Sequence, residues 1–323
     1  MNQYRACGVR LRTPLEFPGF RGDGGSGAEA FSVTLDRAPP EPSGPLVRAR
    51  DEGEPGDAVE VRRPSLASLH LDFGDKTRFV VDVEAQSIGG AWPPPLTLDD
   101  ALVYLVGPVL GATLRLLRRS VLHASAVEVD GRALLVMGDA GAGKSTLTAA
   151  LVDAGLPLIT EDVAALDVAD GAPLRVFRGG TRVKLWPESV RGLRGREDAL
   201  PLLVPSSVDW HKRYLDCAER MTAHDAVPVA AIVHLERTPD VDAPELTPLR
   251  AHDKLLCLLA NGYASRLVRP DDRADELSRV SRVAQEVPVL RMRYPDRFEA
   301  LPGVVDTLRR LVEKREPGGG GGG

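Results

Sequence analysis

At 323 residues the chain is long enough to bury a substantial core and to divide into two units. Its 41 Lys and Arg against 46 Asp and Glu leave a formal net charge of −5, and no basic block offers a surface to duplex phosphates, so nucleic acid is not an expected partner. The three cysteines, Cys7, Cys217 and Cys257, follow no metal-binding spacing, and the opening MNQYRACGVRLRTP lacks the apolar run of a signal peptide, which points to free thiols in a reducing cytoplasm.

In chain order, the front of the sequence reads as β-rich. EAFSVTLD, SLHLDFG and TRFVVDVEA alternate apolar and polar residues, as half-buried strands do. Between them, GFRGDGGSGAEA and RAPPEPSGPLVRARDEGEPGD carry too much Gly, Pro and charge to offset their ordering entropy and are expected as loops or disorder. ALVYLVGPVLGATLRLL, residues 101–117, is too short for a membrane span and contains Arg115, so no membrane association is expected. Thr97 as N-cap, Asp100 at the capping-box position, and Arg115, Arg118 and Arg119 toward the far end predict a buried, glycine-interrupted helix.

From residue 121 strands alternate with helices. VLHASAVEV and RALLVMG flank Asp130-Gly131, a two-residue turn whose positions both need positive φ. If Val129 faces Arg132, His123 falls opposite Gly138, at the mouth of the loop that follows. That loop, GDAGAGKS from Gly138 to Ser145, fits G-x-x-x-x-G-K-[ST] with an apolar strand before it and a helix-forming run after it. Backbone N–H groups of Gly138, Asp139, Ala140, Gly141, Ala142 and Gly143 are placed to surround phosphate oxygens, with a structural turn as the competing reading. In the nucleotide reading Lys144 reaches the β and γ phosphates of ATP, the Ser145 hydroxyl holds Mg²⁺, and Thr146 touches the α phosphate.

The helix from Lys144 is expected to run to Ala154 with Gly155 at C′. LPLITEDVAAL follows. A right-handed crossover that returned it beside the loop strand would bring Glu161 and Asp162 to the ligand-binding edge of the sheet. Two buried carboxylates there call for a cation, hence a Mg²⁺ role for both and a base role for Asp162; a solvated strand end is the competing reading for each.

Further on, VPVAAIVHLER at 227–237 reads as a buried strand that lacks the aliphatic run and Asp of energy-coupling ATPases, and neither a guanine-reading element nor an ABC signature is present. In GGTRVKLWPES and DWHKRYLD, Arg182 and Lys184 share a strand face, and Lys212 and Arg213 follow a Pro/Ser loop; these are candidate phosphate-binding cations, with a solvated surface as the alternative. Trp186 and Pro187 are assigned to the core. So are His252, Leu255, Leu258, Leu259 and Tyr263, a helical stripe. VPVLRMRYP predicts a late strand, ALPGVVDTLRRLVEK a closing helix with Lys314 and Arg315 at its end, and 318–323 a flexible poly-Gly tail.

The stretch LHASAVEVDGRALLVMGDAGAGKSTLTAALVDAGLPLITEDVAAL resembles the C-terminal catalytic domain of the HPr kinase/phosphorylase family. The resemblance implies an α/β fold: a P-loop catalytic domain of the HPr kinase/PEP carboxykinase-like type over 96–317, with a smaller β-rich N-terminal domain over 1–95. It also implies an ATP- and Mg²⁺-dependent serine kinase in which His123 takes the place of the family's histidine ahead of the loop, and Glu161-Asp162 that of its Asp-Asp pair. By position Asp162 is then the base toward the acceptor serine, and Glu161 stands where the family has Asp. The glycine-rich signature that follows the acid pair in true HPr kinases is not recognisable, whereas GGTRVKLWPES and DWHKRYLD resemble segments of HPr-kinase-like proteins outside carbohydrate control. Such relatives include kinases that tailor lasso peptides, so a protein or peptide serine is the implied acceptor. A small-molecule kinase and a non-catalytic ATP-binding regulator stand as alternatives, and the hexamers of true HPr kinases make a homo-oligomer an option.

Overall fold

Cys7 and Gly8 both take positive φ, 54° and 77°, and close a tight hairpin between β1 (Asn2–Ala6) and β2 (Val9–Thr13). The computed structural model describes residues 1–22, 29–35, 41–50, 59–169, 171–204, 211–264 and 272–313. After that hairpin come β3 (Ala30–Thr34), β4 (Leu46–Arg50), β5 (Val59–Arg62), β6 (Ser68–Phe73), β7 (Arg78–Asp82) and β8 (Ser87–Ala91). They form an eight-stranded sheet in the order β1-β2-β3-β8-β7-β6-β5-β4. One expectation is corrected here: β4 lies in a stretch read as loop or disorder. One edge of its backbone pairs antiparallel with the next strand, β5, a partner that the composition of the stretch itself does not report. Residues 23–28, 37–40 and 51–57 of the two loop-like stretches lie outside the described residues.

The apolar segment folds as α1 (Leu98–Tyr104), a π turn (Leu105–Val109) and α2 (Leu110–Leu116). Asp100 Oδ2 accepts the Thr97 N–H at 2.6 Å, as the capping pattern predicts. Pro108, which has no N–H to donate, sits inside the π turn. The helix is buried against the first sheet. Tyr104 stacks on Phe73 at 4.0 Å and donates to Asp75 at 2.6 Å. The same core cluster takes in Val121, Val163 and Ala165, so this helix joins the first sheet to the second.

The second sheet begins with β9 (Ser120–Val129) and β10 (Arg132–Gly138), turned by Asp130 (φ 49°) and Gly131 (φ 73°) in the expected register, from Val129 opposite Arg132 to Ala124 opposite Met137. α3 (Lys144–Asp153) ends with Gly155 at φ 88°, where the Leu156 N–H bonds Leu151 and the Gly155 N–H bonds Val152. β11 (Leu158–Thr160) and β12 (Val163–Asp167) then pair antiparallel with β9. The expected return beside the loop strand is therefore corrected. The tight hairpin fills one edge of β10 with β9, and the long β16 (Ala226–Thr238) takes the other in parallel. Because β9 runs antiparallel to both β10 and β11, those two strands still end at the same side of the sheet.

The remaining elements are β13 (Arg175–Phe177), β14 (Arg182–Leu185), α4 (Pro187–Arg194), β15 (Arg213–Asp216), β17 (Glu245–Pro248), α5 (Ala251–Ala260), α6 (Arg273–Glu286), β18 (Val289–Pro295) and α7 (Leu301–Glu313). The main path of the second sheet is β10-β9-β12-β13-β16-β18-β17, while β14 and β15 make a separate ribbon. Of the expected α5 stripe, Leu258 is fully buried, but His252 is exposed and Tyr263 stands beyond the helix end, because the turn at Asn261 carries the chain back to β9. Trp186, expected in the core, is 38% exposed because it is the N-cap of α4 rather than an inward strand position. Lys314, Arg315 and the poly-Gly tail lie outside the described residues. Among the described residues no helix is long and apolar enough to cross a membrane.

Candidate functional site

The loop between β10 and α3 is shaped by glycines, two of which, Gly138 and Gly143, have no room for a side chain. Gly138 has φ 153°, and a Cβ there would meet the Leu235 carbonyl oxygen at 2.9 Å. At Gly143, φ 87°, a Cβ would lie 2.3 Å from the Tyr294 hydroxyl, which donates to the Ala142 carbonyl at 2.7 Å. Strand β18 thus braces the loop from beneath. Ala142 N–H closes onto the Asp139 carbonyl at 3.1 Å, and Ala140 and Gly141 form the outer arc. With α3 starting at Lys144, the loop can present N–H groups to an anion.

Lys144 Nζ rests on the loop's own carbonyls, 2.7 Å from Gly138 and 3.1 Å from Asp139. Burial lowers its pKa, against the pull of Asp162, Glu161 and Asp139. Thr146 donates to Ser189 of α4 at 2.8 Å.

Across from the loop, β11 stops at Thr160, whose hydroxyl bonds the Val163 carbonyl at 2.8 Å. Asp162 sits in the left-handed region at φ 72°, a conformation costing on the order of 1 kcal/mol for a side chain with a Cβ. Consecutive strand residues face opposite ways, and this turn is what lets both acids meet one partner. Glu161 Oε1 accepts from the Ser145 hydroxyl at 2.9 Å. Asp162 Oδ1 lies 2.9 Å from His123 Nδ1, and its Oδ2 accepts from Lys184 Nζ at 2.7 Å. The same ammonium is 3.5 Å from Glu161 Oε2, a buried oxygen with no hydrogen bond.

The charges in this cluster are tightly linked. Burial would raise the Asp162 carboxyl, but the Lys184 ammonium and the His123 hydrogen bond hold it well below the usual carboxylate range. For Glu161 burial wins and its pKa is raised, with Lys184 opposing and Asp162 adding to the rise. Burial alone would lower Lys184, yet the two carboxylates raise it above the ordinary lysine value.

His123, Ser145, Glu161 and Asp162 are therefore brought together, with His123 beside β12 through its register partner Val163. Lys212 lies over the Trp186 ring at 4.3 Å, and Arg213, the first residue of β15 in the ribbon that also carries Lys184, donates to the Leu200 carbonyl. Lys184 itself was legible only as half of a charged strand face; the contact with the acid pair comes from the fold. Two further neighbours were not legible as site residues. A Cβ on Gly107, in the π turn, would lie 3.6 Å from Asp162 Oδ2 and 3.6 Å from the Tyr263 hydroxyl. Tyr263, read as core, has its ring 5.8 Å from that of His123. π turns inside helices often mark functional positions, a cue visible here only as Gly-Pro in an apolar run.

The donor set suits a hard divalent cation. Ser145 and Glu161 supply adjacent oxygens, one of them orphaned, and Mg²⁺ commonly takes one or two protein ligands with phosphates and water completing its shell. Among the described residues no three His, Cys, Asp or Glu side chains gather as a metal site of their own.

No protein-family model matches the chain, and no curated protein matches it. Among solved structures the chain is similar to the Hpr(Ser) kinase/phosphatase from Coxiella burnetii, at 14% identity with a TM-score of 0.32, over 60% of this chain and 99% of that one.

Proposed function

We propose that the protein is an ATP- and Mg²⁺-dependent kinase that transfers the γ-phosphoryl group to a hydroxyl, a serine of a small protein or peptide. The observation that carries this reading is the 2.9 Å contact between Ser145, at the start of the loop helix, and Glu161, whose neighbour Asp162 shares the same lysine. Cradle, metal ligand and carboxylate then lie in one place. Lys144 exchanges its loop carbonyls for the β and γ phosphates, the loop N–H groups hold the phosphate chain, and Ser145 with Glu161 holds the ion, with Asp162 beside it. Mg²⁺ supplies positive charge to the phosphate oxygens. The acceptor oxygen forms its bond to phosphorus as the bond to the β-γ bridging oxygen breaks, ADP leaves, and Asp162 takes the hydroxyl proton while His123 holds the carboxylate in position. A carboxylate of low proton affinity suffices, since in a loose transition state the hydroxyl keeps its proton until late.

Labelled ATP with candidate peptide and protein acceptors tests this. Asp162→Asn is expected to keep nucleotide binding and lose transfer by ~10² or more, while Lys144→Ala loses both. ATP binding with no transfer from any version, wild type included, leaves a nucleotide-sensing regulator instead.

A further inference from the structure

Two adjacent carboxylates, one 6% and the other 20% exposed, would repel each other across a partly dry site without a cation between them. Lys144 is not that cation, since its ammonium bonds the Gly138 and Asp139 carbonyls. Lys184 is: it arrives from β14, 22 residues after Asp162, is only 18% exposed, and places one nitrogen 2.7 Å from Asp162 and 3.5 Å from Glu161. The geometry is uneven. Asp162 receives a short hydrogen bond, whereas Glu161 Oε2 is merely approached, and the other Glu161 oxygen already faces Ser145.

We propose that Lys184 is a built-in counter-ion of the acid pair: in the nucleotide-free protein its ammonium occupies the charge position at Glu161 that a divalent cation takes over when the nucleotide arrives, after which it stays on Asp162 alone. The inference rests on the reading above, in which Glu161 and Ser145 hold the ion. It makes Lys184 a positioning residue, which keeps two acids folded together without metal and prevents a free ion from settling there before its nucleotide.

The experiment uses the full chain and Mn²⁺ alone as probe, with bound ion read by electron paramagnetic resonance and the melting temperature followed in parallel. Wild type and Lys184→Arg are expected to bind Mn²⁺ weakly without nucleotide. Lys184→Met is expected to bind it about ten-fold or more tighter, to melt lower without metal, and to recover on Mn²⁺ addition. The added affinity should vanish in Lys184→Met/Glu161→Gln. Should Lys184→Met not fold, Lys184→Met/Asp162→Asn removes one charge of each sign and is compared with Asp162→Asn, with the same gain expected. No gain in Mn²⁺ affinity in either comparison, or a gain that survives loss of Glu161, overturns the proposal. If the wild type transfers phosphate and Lys184→Met gains no ion, this inference alone fails; if the ion is gained and the wild type transfers nothing, the kinase reading fails and the counter-ion stands.

Discussion

Asp162 is constrained three ways: a left-handed backbone, an imidazole on one oxygen and an ammonium on the other. Asn tolerates the left-handed region nearly as well as Asp does, so Asp162→Asn should fold and isolate the loss of charge, which is why it suits the transfer assay. The ion pair also sets an acid dependence of known sign. The Asp162 carboxyl is held below its unfolded value, so its contribution to stability is complete above about pH 4, the ordinary Asp pKa, and is lost as pH falls through the folded value. Glu161 acts oppositely, since its raised pKa lets the folded state take a proton first as the pH drops. Urea unfolding at a series of pH values should therefore show the gap between wild type and Asp162→Asn closing below about pH 4. A gap that stays constant into strong acid would mean that Asp162 contributes no pairing energy.

At the scale of elements, the helix that passes from α1 through the π turn to α2 touches both the first sheet and the acid site. Gly111 in α2 accepts the Tyr263 ring so closely that a Cβ would lie 2.2 Å from a ring carbon. Arg115, one turn on, is 5% exposed and bonds Glu276, the Tyr263 carbonyl and the Val121 carbonyl, which locks Tyr263 against the helix. In an open helix Gly→Ala gains about 1 kcal/mol; here overpacking should make Gly111→Ala destabilising by about 1–3 kcal/mol, measured by denaturant midpoint. In a Tyr263→Ala background the ring is gone and the same substitution should raise stability, a reversal that a double-mutant cycle detects. Equal effects in both backgrounds would remove Tyr263 as the cause.

For the whole molecule, the consequential feature is a core shared between the two sheets. The turn at Cys7 and Gly8 reaches the second sheet, where Cys7 N–H bonds the Arg178 carbonyl at 2.7 Å and its thiol lies 3.7 Å from the Val163 carbonyl, one residue from Asp162. Burial pushes the Cys7 thiol up to about 12, so it is almost wholly protonated, and shielded, at pH 8. Urea unfolding should accordingly be one transition, with Cys7 labelling by a thiol reagent, followed in a Cys217→Ser/Cys257→Ser background, coincident with loss of secondary structure. Labelling at lower urea would show the β-rich front separating first.

By itself the sequence determined the hairpin register at Asp130-Gly131, the glycine loop with its helix, the Gly155 cap and the Thr97 cap, because each depends on φ preferences and backbone N–H groups within a few residues. It also determined that two acids follow that helix, though not which strand they would border. Only the tertiary structure decided that β11 lies beyond β9, that β4 pairs with β5, that Trp186 is exposed and that Lys184 rather than a loop cation meets the acids. Those outcomes depend on which sheet edges are already taken and on which charge a distant strand brings to a desolvated carboxylate, and neither quantity is carried by neighbouring residues.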